Sequence, residues 1–146
     1  MSRGPILLVD DNSDHVVLVE RALSRAGRDV ELHVLGDGDE AVDYLAGQGA
    51  YADRGAYPLP AVMLLDLNLP RRTGFEVMAW LRHQPPVSRL PVVVFTGSSD
   101  PHDVNRAYDM GANGYLVKPD RFRALVAMLA GLIDYWVEWN VLPALT

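Results

Sequence analysis

Hydrophobic residues occur in five short runs that are separated by longer amphipathic segments. A continuous apolar run is typical of a strand that is covered on both faces of a parallel sheet. The second run is less apolar, so we expect its strand to lie nearer a sheet edge. The runs are Ile6–Val9, Val30–Leu35, Ala61–Leu65, Val92–Phe95 and Tyr115–Val117.

Each run is followed by a helical pattern whose ends carry recognisable signals. Side chains that cap helices precede the apolar periodicity, and two of them have the three-residue spacing of a capping box. The expected caps are Asn12 or Ser13, Asp37 with Glu40, Thr73 with Glu76, Asp100 before Pro101, and Asp120. Five strand–helix pairs predict an α/β fold, a doubly wound five-stranded parallel sheet with helices on both faces.

The 146 residues suit a single domain with a C-terminal extension. We expect the domain to cover 5–133, with an inserted surface loop at 49–60, and 134–146 to form a helix end and an arm. The apolar stripe of the last helix is already complete without several large residues of this extension, which would leave an exposed patch typical of an interface. We therefore expect a homodimer contact, the alternative being that the arm folds back on its own domain. The extra apolar residues are Tyr135, Val137, Trp139, Val141, Leu142 and Leu145.

Polar side chains of four kinds follow the predicted strands. Asp10 and Asp11 end the first run, Asp66 follows the third, and Thr96 and Lys118 follow the fourth and fifth. Ligands of open parallel sheets bind at the carboxyl ends of the strands. If the first and third strands are neighbours, three carboxylates meet there and need a cation among them. Oxygen ligands without a nearby Cys or His indicate a hard cation, Mg²⁺ rather than Ca²⁺.

Within such a pocket Asp66 can act as a nucleophile toward phosphorus and form an acyl phosphate. Lys118 then supplies a fixed positive charge and Thr96 a hydroxyl donor for the phosphoryl oxygens. Each residue alone has an ordinary interpretation, since an acidic pair is usually a solvated strand end and a single Asp usually caps a helix. Their joint occurrence at consecutive strand ends is the informative signal.

Composition narrows the possible partners. The net charge of −6 argues against a general nucleic-acid binder, which needs clustered Lys and Arg. The absence of cysteine excludes disulfides and thiol chemistry. Hydrophobic runs stay well short of the ~18 residues that a membrane span requires. We expect a cytoplasmic protein that binds neither DNA nor a membrane.

Four longer segments carry a specific combination of residues, and they resemble those of CheY-like response-regulator receiver domains. The segments are LLVDDN (7–12), LLDLNLPRRTGFEVM (64–78), VVVFTGSSD (92–100) and GANGYLVKP (111–119). The resemblance extends over about 5–132 and implies the flavodoxin/CheY-like fold. It also implies that Asp10, Asp11 and Asp66 bind Mg²⁺ together with the backbone carbonyl of Asn68.

The same resemblance assigns roles in a phosphorylation switch. It implies that Asp66 is the phosphoacceptor, that Thr96 and Lys118 bind the phosphoryl group, and that Thr96 and Tyr115 change conformation with phosphorylation. The chain would then be a stand-alone response regulator that receives a phosphoryl group from a histidine kinase. It would signal through the face formed by the fourth helix, fifth strand and fifth helix, and would catalyse only its own phosphorylation and dephosphorylation.

A narrower resemblance concerns the kinase. The DLNLPRR segment, the loop before the third strand and the aromatic tail DYWVEWNVLP (134–143) are similar to single-domain regulators of phytochrome-type histidine kinases. This similarity implies a place in bacterial phytochrome light signalling.

Three other functions use parts of the same pattern. A haloacid-dehalogenase-like phosphatase would use Asp66 as nucleophile but needs a second acid two residues later, where this chain has Asn68. A dinucleotide-binding domain needs a glycine-rich loop after the first strand, where acidic residues would repel phosphate. An unphosphorylated pseudo-receiver adaptor would not need the complete set of Asp, Thr and Lys. No role is assigned to the four histidines, His15, His33, His83 and His102.

Overall fold

A computed structural model of the chain describes residues 4–146. Its five strands form one parallel sheet in the order β2-β1-β3-β4-β5. The strands are β1 (Ile6–Val9), β2 (Leu32–Leu35), β3 (Val62–Leu65), β4 (Val92–Thr96) and β5 (Gly114–Val117). The predicted doubly wound α/β fold is confirmed, and the less apolar second run does form an edge strand, although it begins two residues later than predicted.

Five helices connect the strands and cover both faces of the sheet. They are α1 (Ser13–Ala26), α2 (Gly38–Ala46), α3 (Gly74–Leu81), α4 (Pro101–Asp109) and α5 (Phe122–Ile133). Leu7 and Val9 of β1 pack with α2, α3 and α4, whereas Ile6 and Leu8 pack with α1 and α5. Burial on both faces explains why the strands are continuous apolar runs. Within residues 4–146, no helix combines the length and the apolar character needed to cross a bilayer.

Side-chain caps fix the starts of three helices as the sequence predicts. At α4, the Asp100 side chain accepts from the N–H of His102 at 2.9 Å, and Pro101 is the first helical residue. The Asn12 side chain accepts hydrogen bonds from the backbone N–H groups of Asp14 and His15 at the start of α1. At α3, Thr73 and Glu76 form the complete reciprocal capping box. These bonds satisfy donors that a helix leaves free at its first turn.

Two expected caps are wrong in part. Asp37 caps α2 by accepting from the N–H of Glu40, but the Glu40 carboxylate accepts from the N–H of Gly36 and not from that of Asp37. Asp120 does not cap α5, because the chain bends at Asp120 and Arg121 before the helix begins, and Arg121 occupies the cap position without a side-chain bond.

The loop at 49–60 is held by its own side chains. The rings of Tyr51 and Tyr57 lie 5.0 Å apart in a T-shaped arrangement, and both contact the ring of Tyr44 in α2. Burial raises the pKa of Tyr44 to about 12. The guanidinium of Arg54 reaches back to the end of α2, 5.9 Å from the centre of the Tyr44 ring. The predicted surface insertion is therefore an ordered cover for α2.

Beyond α5 the chain continues as wider π-helical turns at Asp134–Trp139. The last of these is closed by the N–H of Asn140, which donates to the carbonyl of Tyr135 five residues earlier. Val137 is buried in the core between the sheet, α1 and α5. The helical part of the extension is thus packed on its own domain.

The end of the arm also folds back. Arg89 donates to the carbonyl of Ala144 at 3.1 Å, and Leu145 packs against the core on the side of α2, α3 and α4. Two large side chains between these contacts face solvent, with 81% of Trp139 and 91% of Val141 exposed. The arm therefore has one face on its own domain and one apolar face uncovered.

Arg54 should contribute measurably to stability, because it donates to the carbonyls of Tyr44, Leu45 and Tyr57 at 2.7, 2.9 and 3.2 Å. Two of these carbonyls belong to the last turn of α2, where intrahelical N–H partners run out, although the Tyr44 carbonyl also accepts from the N–H of Gly47 at 3.2 Å. We expect Arg54→Ala to lower the free energy of unfolding by about 1–2 kcal/mol in urea titrations. The exposed Arg123→Ala serves as control, and equal midpoints for both variants would contradict this role.

Candidate functional site

The register of the sheet brings two carboxylates side by side. Val9 of β1 pairs with Leu65 of β3, so Asp10 and Asp66 follow at the same edge. The N–H of Asp66 donates to the carbonyl of Val9 at 3.0 Å, and that of Asp10 donates to the carbonyl of Leu35 at 2.9 Å. The backbone of both acids is therefore fixed by the last hydrogen bonds of the sheet.

Thr96 and Lys118 reach the same edge from the neighbouring strands. Thr96 is the last residue of β4 and pairs with Val117 of β5. The N–H of Lys118 donates to the carbonyl of Thr96 at 2.7 Å, which continues the ladder by one residue. The structure thus places these residues at one end of four adjacent strands, as predicted.

A glycine allows the following helix to approach the acidic edge. A Cβ atom on Gly74 would lie 2.3 Å from the carbonyl oxygen of Asp66, which no side chain tolerates. The N–H of Gly74 also donates to the carbonyl of Leu67 at 3.0 Å. The first turn of α3 is therefore packed directly against the backbone that carries Asp66.

Three carboxylates and one ammonium form the centre of the site. Asp10 and Asp66 are only 2% and 7% exposed, whereas Asp11 is open to solvent. One oxygen of each acid lies within 4.8 Å of the others. Lys118 Nζ lies 2.9 Å from Asp10 Oδ2 and 2.8 Å from Asp66 Oδ2. One ammonium beside three carboxylates leaves two negative charges uncompensated, the amount that a divalent cation would balance.

Hydrogen bonds keep the buried groups charged. Burial alone would raise the pKa of Asp10, but bonds from His15, the N–H of Asn12 and Lys118 outweigh it and lower the pKa. Burial alone would lower the pKa of Lys118, but its bonds to Asp66 and Asp10 raise it. Asp10 is therefore an anion and Lys118 a cation at neutral pH.

The acidic group fits Mg²⁺ in chemistry and size. All of its ligand atoms are carboxylate oxygens, which hard cations prefer. Oxygens on opposite sides of an Mg²⁺ ion lie about 4 Å apart, and one oxygen of each acid lies within 4.8 Å of the others, so the separations are of the size that one ion needs. The N–H of Asn68 donates to Asp66 Oδ1 at 3.3 Å, whereas the predicted role of its carbonyl stays a prediction.

The hydroxyl groups of Thr96 and Tyr115 differ in their hydrogen bonding. Thr96 is fully buried, and its Oγ1 has no hydrogen-bond partner within residues 4–146. A buried hydroxyl without a partner is costly, which is expected where a ligand completes the site. The Tyr115 hydroxyl donates to the carbonyl of Ser98 at 2.9 Å. Tyr115 is thus tied to the loop that follows Thr96.

His15 contacts Asp10 and so belongs to the site, although its place in the sequence indicated no role. Its Nδ1 lies 2.7 Å from Asp10 Oδ2. The ring comes from the first turn of α1, five residues after Asp10. The nearness of His15 to the acidic pair in sequence was the available signal, but the direction of its side chain depends on the tertiary packing.

Comparison with known proteins agrees with the geometry. The response regulator receiver domain family matches residues 6–130. Response regulator Rcp1 of Synechocystis sp. is 40% identical over 139 residues, which cover 95% of this chain and 92% of Rcp1. The probable methanogenesis regulatory protein FilR2 of Methanothrix harundinacea is 38% identical over 138 residues, which cover 94% of this chain and 86% of FilR2.

Solved structures of response regulators superpose closely on this chain. The phosphorylated cyanobacterial phytochrome response regulator RcpA superposes with a TM-score of 0.88 at 34% identity, covering 98% of this chain and 100% of RcpA. The Mn²⁺-bound form of Rcp1 superposes with a TM-score of 0.84 at 39% identity, covering 97% and 99%. With its five-stranded parallel sheet and acidic edge, the chain belongs to the response regulator receiver domain family and is closely related to Rcp1 and RcpA.

Proposed function

We propose that Asp66 accepts a phosphoryl group from a histidine kinase while Mg²⁺ is bound beside it. The observation that carries this proposal is the pairing of buried Asp66 with Lys118 inside a group of three carboxylates. Asp10, Asp11, Asp66 and the backbone carbonyl of Asn68 would hold the metal. That the relative Rcp1 has a Mn²⁺-bound form supports a divalent cation here, and carboxylates next to a phosphoryl group favour Mg²⁺.

Asp66, Lys118 and Thr96 each have a separate part in the phosphoryl transfer. One carboxylate oxygen of Asp66 forms a bond to phosphorus as the P–N bond of the donor phosphohistidine breaks, and the imidazole leaves with that electron pair. The Lys118 ammonium moves from the carboxylates to the phosphoryl oxygens, and the Thr96 hydroxyl donates to them. Bound Mg²⁺ would neutralise part of the phosphoryl charge.

Asp66→Asn should abolish Mg²⁺-dependent phosphorylation by acetyl phosphate, because an amide is a poor nucleophile. The measurement is the mass of the intact chain after incubation with the donor. Asp109→Asn, an exposed acid in α4, is the control and should be phosphorylated like the native chain. Undiminished phosphorylation of a folded Asp66→Asn protein would show that another residue is the acceptor.

The proposed output passes through Thr96 and Tyr115 to the face formed by α4, β5 and α5. Phosphorylation adds about two negative charges beside Thr96 and Lys118. When the Thr96 hydroxyl turns toward them, the Tyr115 ring and its bond to Ser98 connect that change with the loop before α4. The face carries exposed apolar side chains suited to a protein partner, namely Tyr108 of α4 and Val117 of β5.

Tyr115→Ala should leave phosphorylation intact but uncouple it from this face. In the native chain, phosphorylation should change amide hydrogen exchange in the loop before α4 and in α4 itself. We expect at least half of that change to disappear in Tyr115→Ala, because the link to Ser98 is gone. Tyr108→Ala, which removes an exposed ring from the same face, should retain the change. A full exchange response in Tyr115→Ala would disprove the coupling.

The kinase that we propose is of the phytochrome type, and the relation to the phytochrome response regulator RcpA supports this pairing. The chain would work as a stand-alone cytoplasmic regulator without direct contact with DNA or a membrane. Its net charge of −6 supports the absence of DNA binding. It would catalyse only its own phosphorylation and dephosphorylation, since Asn68 stands where a phosphatase of the haloacid-dehalogenase type needs an acid.

We further propose that the segment 134–146 makes a homodimer, while 5–133 forms the receiver domain. Val137 and Leu145 are packed on their own domain, so the dimer contact must use the uncovered side chains. Trp139 and Val141 are the most exposed large apolar residues of the segment. Aromatic residues suit such a contact because they bury much area on binding.

The double variant Trp139→Glu/Val141→Glu should sediment as a folded monomer, because it places charges on the proposed contact. The native chain should sediment as a dimer at about 100 µM, where a dimer with a Kd of about 1 µM is mostly associated. Leu18→Gln, on the exposed face of α1, should leave the dimer unchanged. A native chain that is monomeric at this concentration would show that the arm serves only its own fold.

A further inference from the structure

The Asp10 carboxylate is contacted by several donors. Its Oδ2 receives His15 Nδ1 at 2.7 Å and Lys118 Nζ at 2.9 Å. Among residues 4–146, its Oδ1 receives only the backbone N–H of Asn12, at 2.9 Å. One oxygen is therefore filled by two side chains, while the other keeps a lone pair for a further partner.

The tautomer of His15 follows from its surroundings. A carboxylate only accepts hydrogen bonds, so the ring nitrogen beside Asp10 must carry the hydrogen. The opposite nitrogen, Nε2, is buried and has no hydrogen-bond partner in the described part of the chain. An N–H at that place would be an orphaned buried donor, which folded proteins avoid. His15 is therefore a donor at Nδ1 aimed at Asp10.

The His15 ring packs against the ring of Phe95, and the His15 backbone takes part in the cap of α1. The centre of the His15 ring lies 5.3 Å from that of Phe95 in β4, with the planes inclined by 60°. The backbone N–H of His15 donates to the side chain of Asn12, which caps α1. The cap is complete without the imidazole, so the ring is not needed to start the helix.

We infer that His15 is a positioning residue for the divalent cation, holding Asp10 by one oxygen so that the other faces the metal. The inference rests on the proposed function. In that function Lys118 leaves the carboxylates for the phosphoryl oxygens, and His15 then remains the side-chain donor to Asp10. Removing a group that hydrogen-bonds to a metal ligand typically lowers the metal affinity by about 10–100-fold.

The test compares His15→Phe with His15→Asn. Phenylalanine keeps a ring against Phe95 but cannot donate, whereas the asparagine amide places an N–H close to the position of Nδ1. The probe is Mn²⁺, whose free ion is measured by electron paramagnetic resonance, with Mg²⁺ as competitor. We expect the Kd for both ions to rise about tenfold in His15→Phe and to stay within about threefold of the native value in His15→Asn.

Two further measurements separate positioning from a purely structural role. At saturating Mg²⁺, acetyl phosphate should phosphorylate His15→Phe to the native extent, because only metal affinity is reduced. A structural role would instead lower the unfolding temperature in the absence of metal and leave the Kd unchanged. If His15→Phe does not fold, His15→Gln replaces it, since its longer side chain places the amide away from Nδ1 and should bind Mn²⁺ less tightly than His15→Asn.

The outcomes distinguish this inference from the proposed function. If the native chain and Asp11→Asn bind Mn²⁺ and Mg²⁺ equally poorly, the proposed metal site fails. If the native chain binds them, Asp11→Asn does not, and His15→Phe binds as tightly as the native chain, only the role of His15 is overturned. Equal weakening in His15→Phe and His15→Asn would also overturn it, because the donor at Nδ1 would then be irrelevant.

Discussion

Two carboxylates share a buried place at the edge of the sheet, and this is the constraint on which the site depends. Burial and mutual repulsion both oppose the ionised form of such a pair. Lys118, lying 2.8 and 2.9 Å from Asp66 and Asp10, offsets part of that cost. What remains is a pocket with excess negative charge, which a divalent cation can balance.

The rest of the fold holds these charges in place. Apolar packing on both faces fixes the register of β1 and β3, and the register sets the distance between the acids. Gly74 brings α3 against the Asp66 backbone, and Tyr115 extends from β5 to the carbonyl of Ser98. The acidic pocket is therefore bordered by the closely packed α3 on one side. On the other side lies the loop after Thr96, to which the Tyr115 hydroxyl is hydrogen-bonded.

The sequence predicted the parts that depend on local pattern and strand direction. Continuous apolar runs specify strands buried on both faces, and parallel strands end at one edge. The sequence therefore placed Asp10, Asp66, Thr96 and Lys118 at the same edge of the sheet, and their closeness depended on β1 and β3 being neighbours. The direction of the His15 side chain was not predictable in this way, because it is fixed by packing against Phe95.

Several surface features also depend on tertiary contacts that the sequence pattern does not reveal. The loop at 49–60 was predicted only as an inserted surface loop. Its contact with α2 depends on hydrogen bonds from Arg54 to backbone carbonyls, which no side-chain pattern reveals. The Glu40 carboxylate accepts from the N–H of Gly36 and not from that of Asp37, a difference that the three-residue spacing of the two acids does not reveal. The π-helical turns after α5 likewise leave no periodic trace in so short a segment.

The cation of the pocket is separated from Asp66 by 52 residues of sequence and arrives on the last strand. During synthesis, Asp10 and Asp66 emerge well before Lys118, so an unfinished chain has both acids but not the ammonium that lies beside them in the folded protein. The pocket is completed only when the sheet is complete. The charge balance of the pocket therefore depends on the C-terminal part of the sheet, although both acids come from its earlier strands.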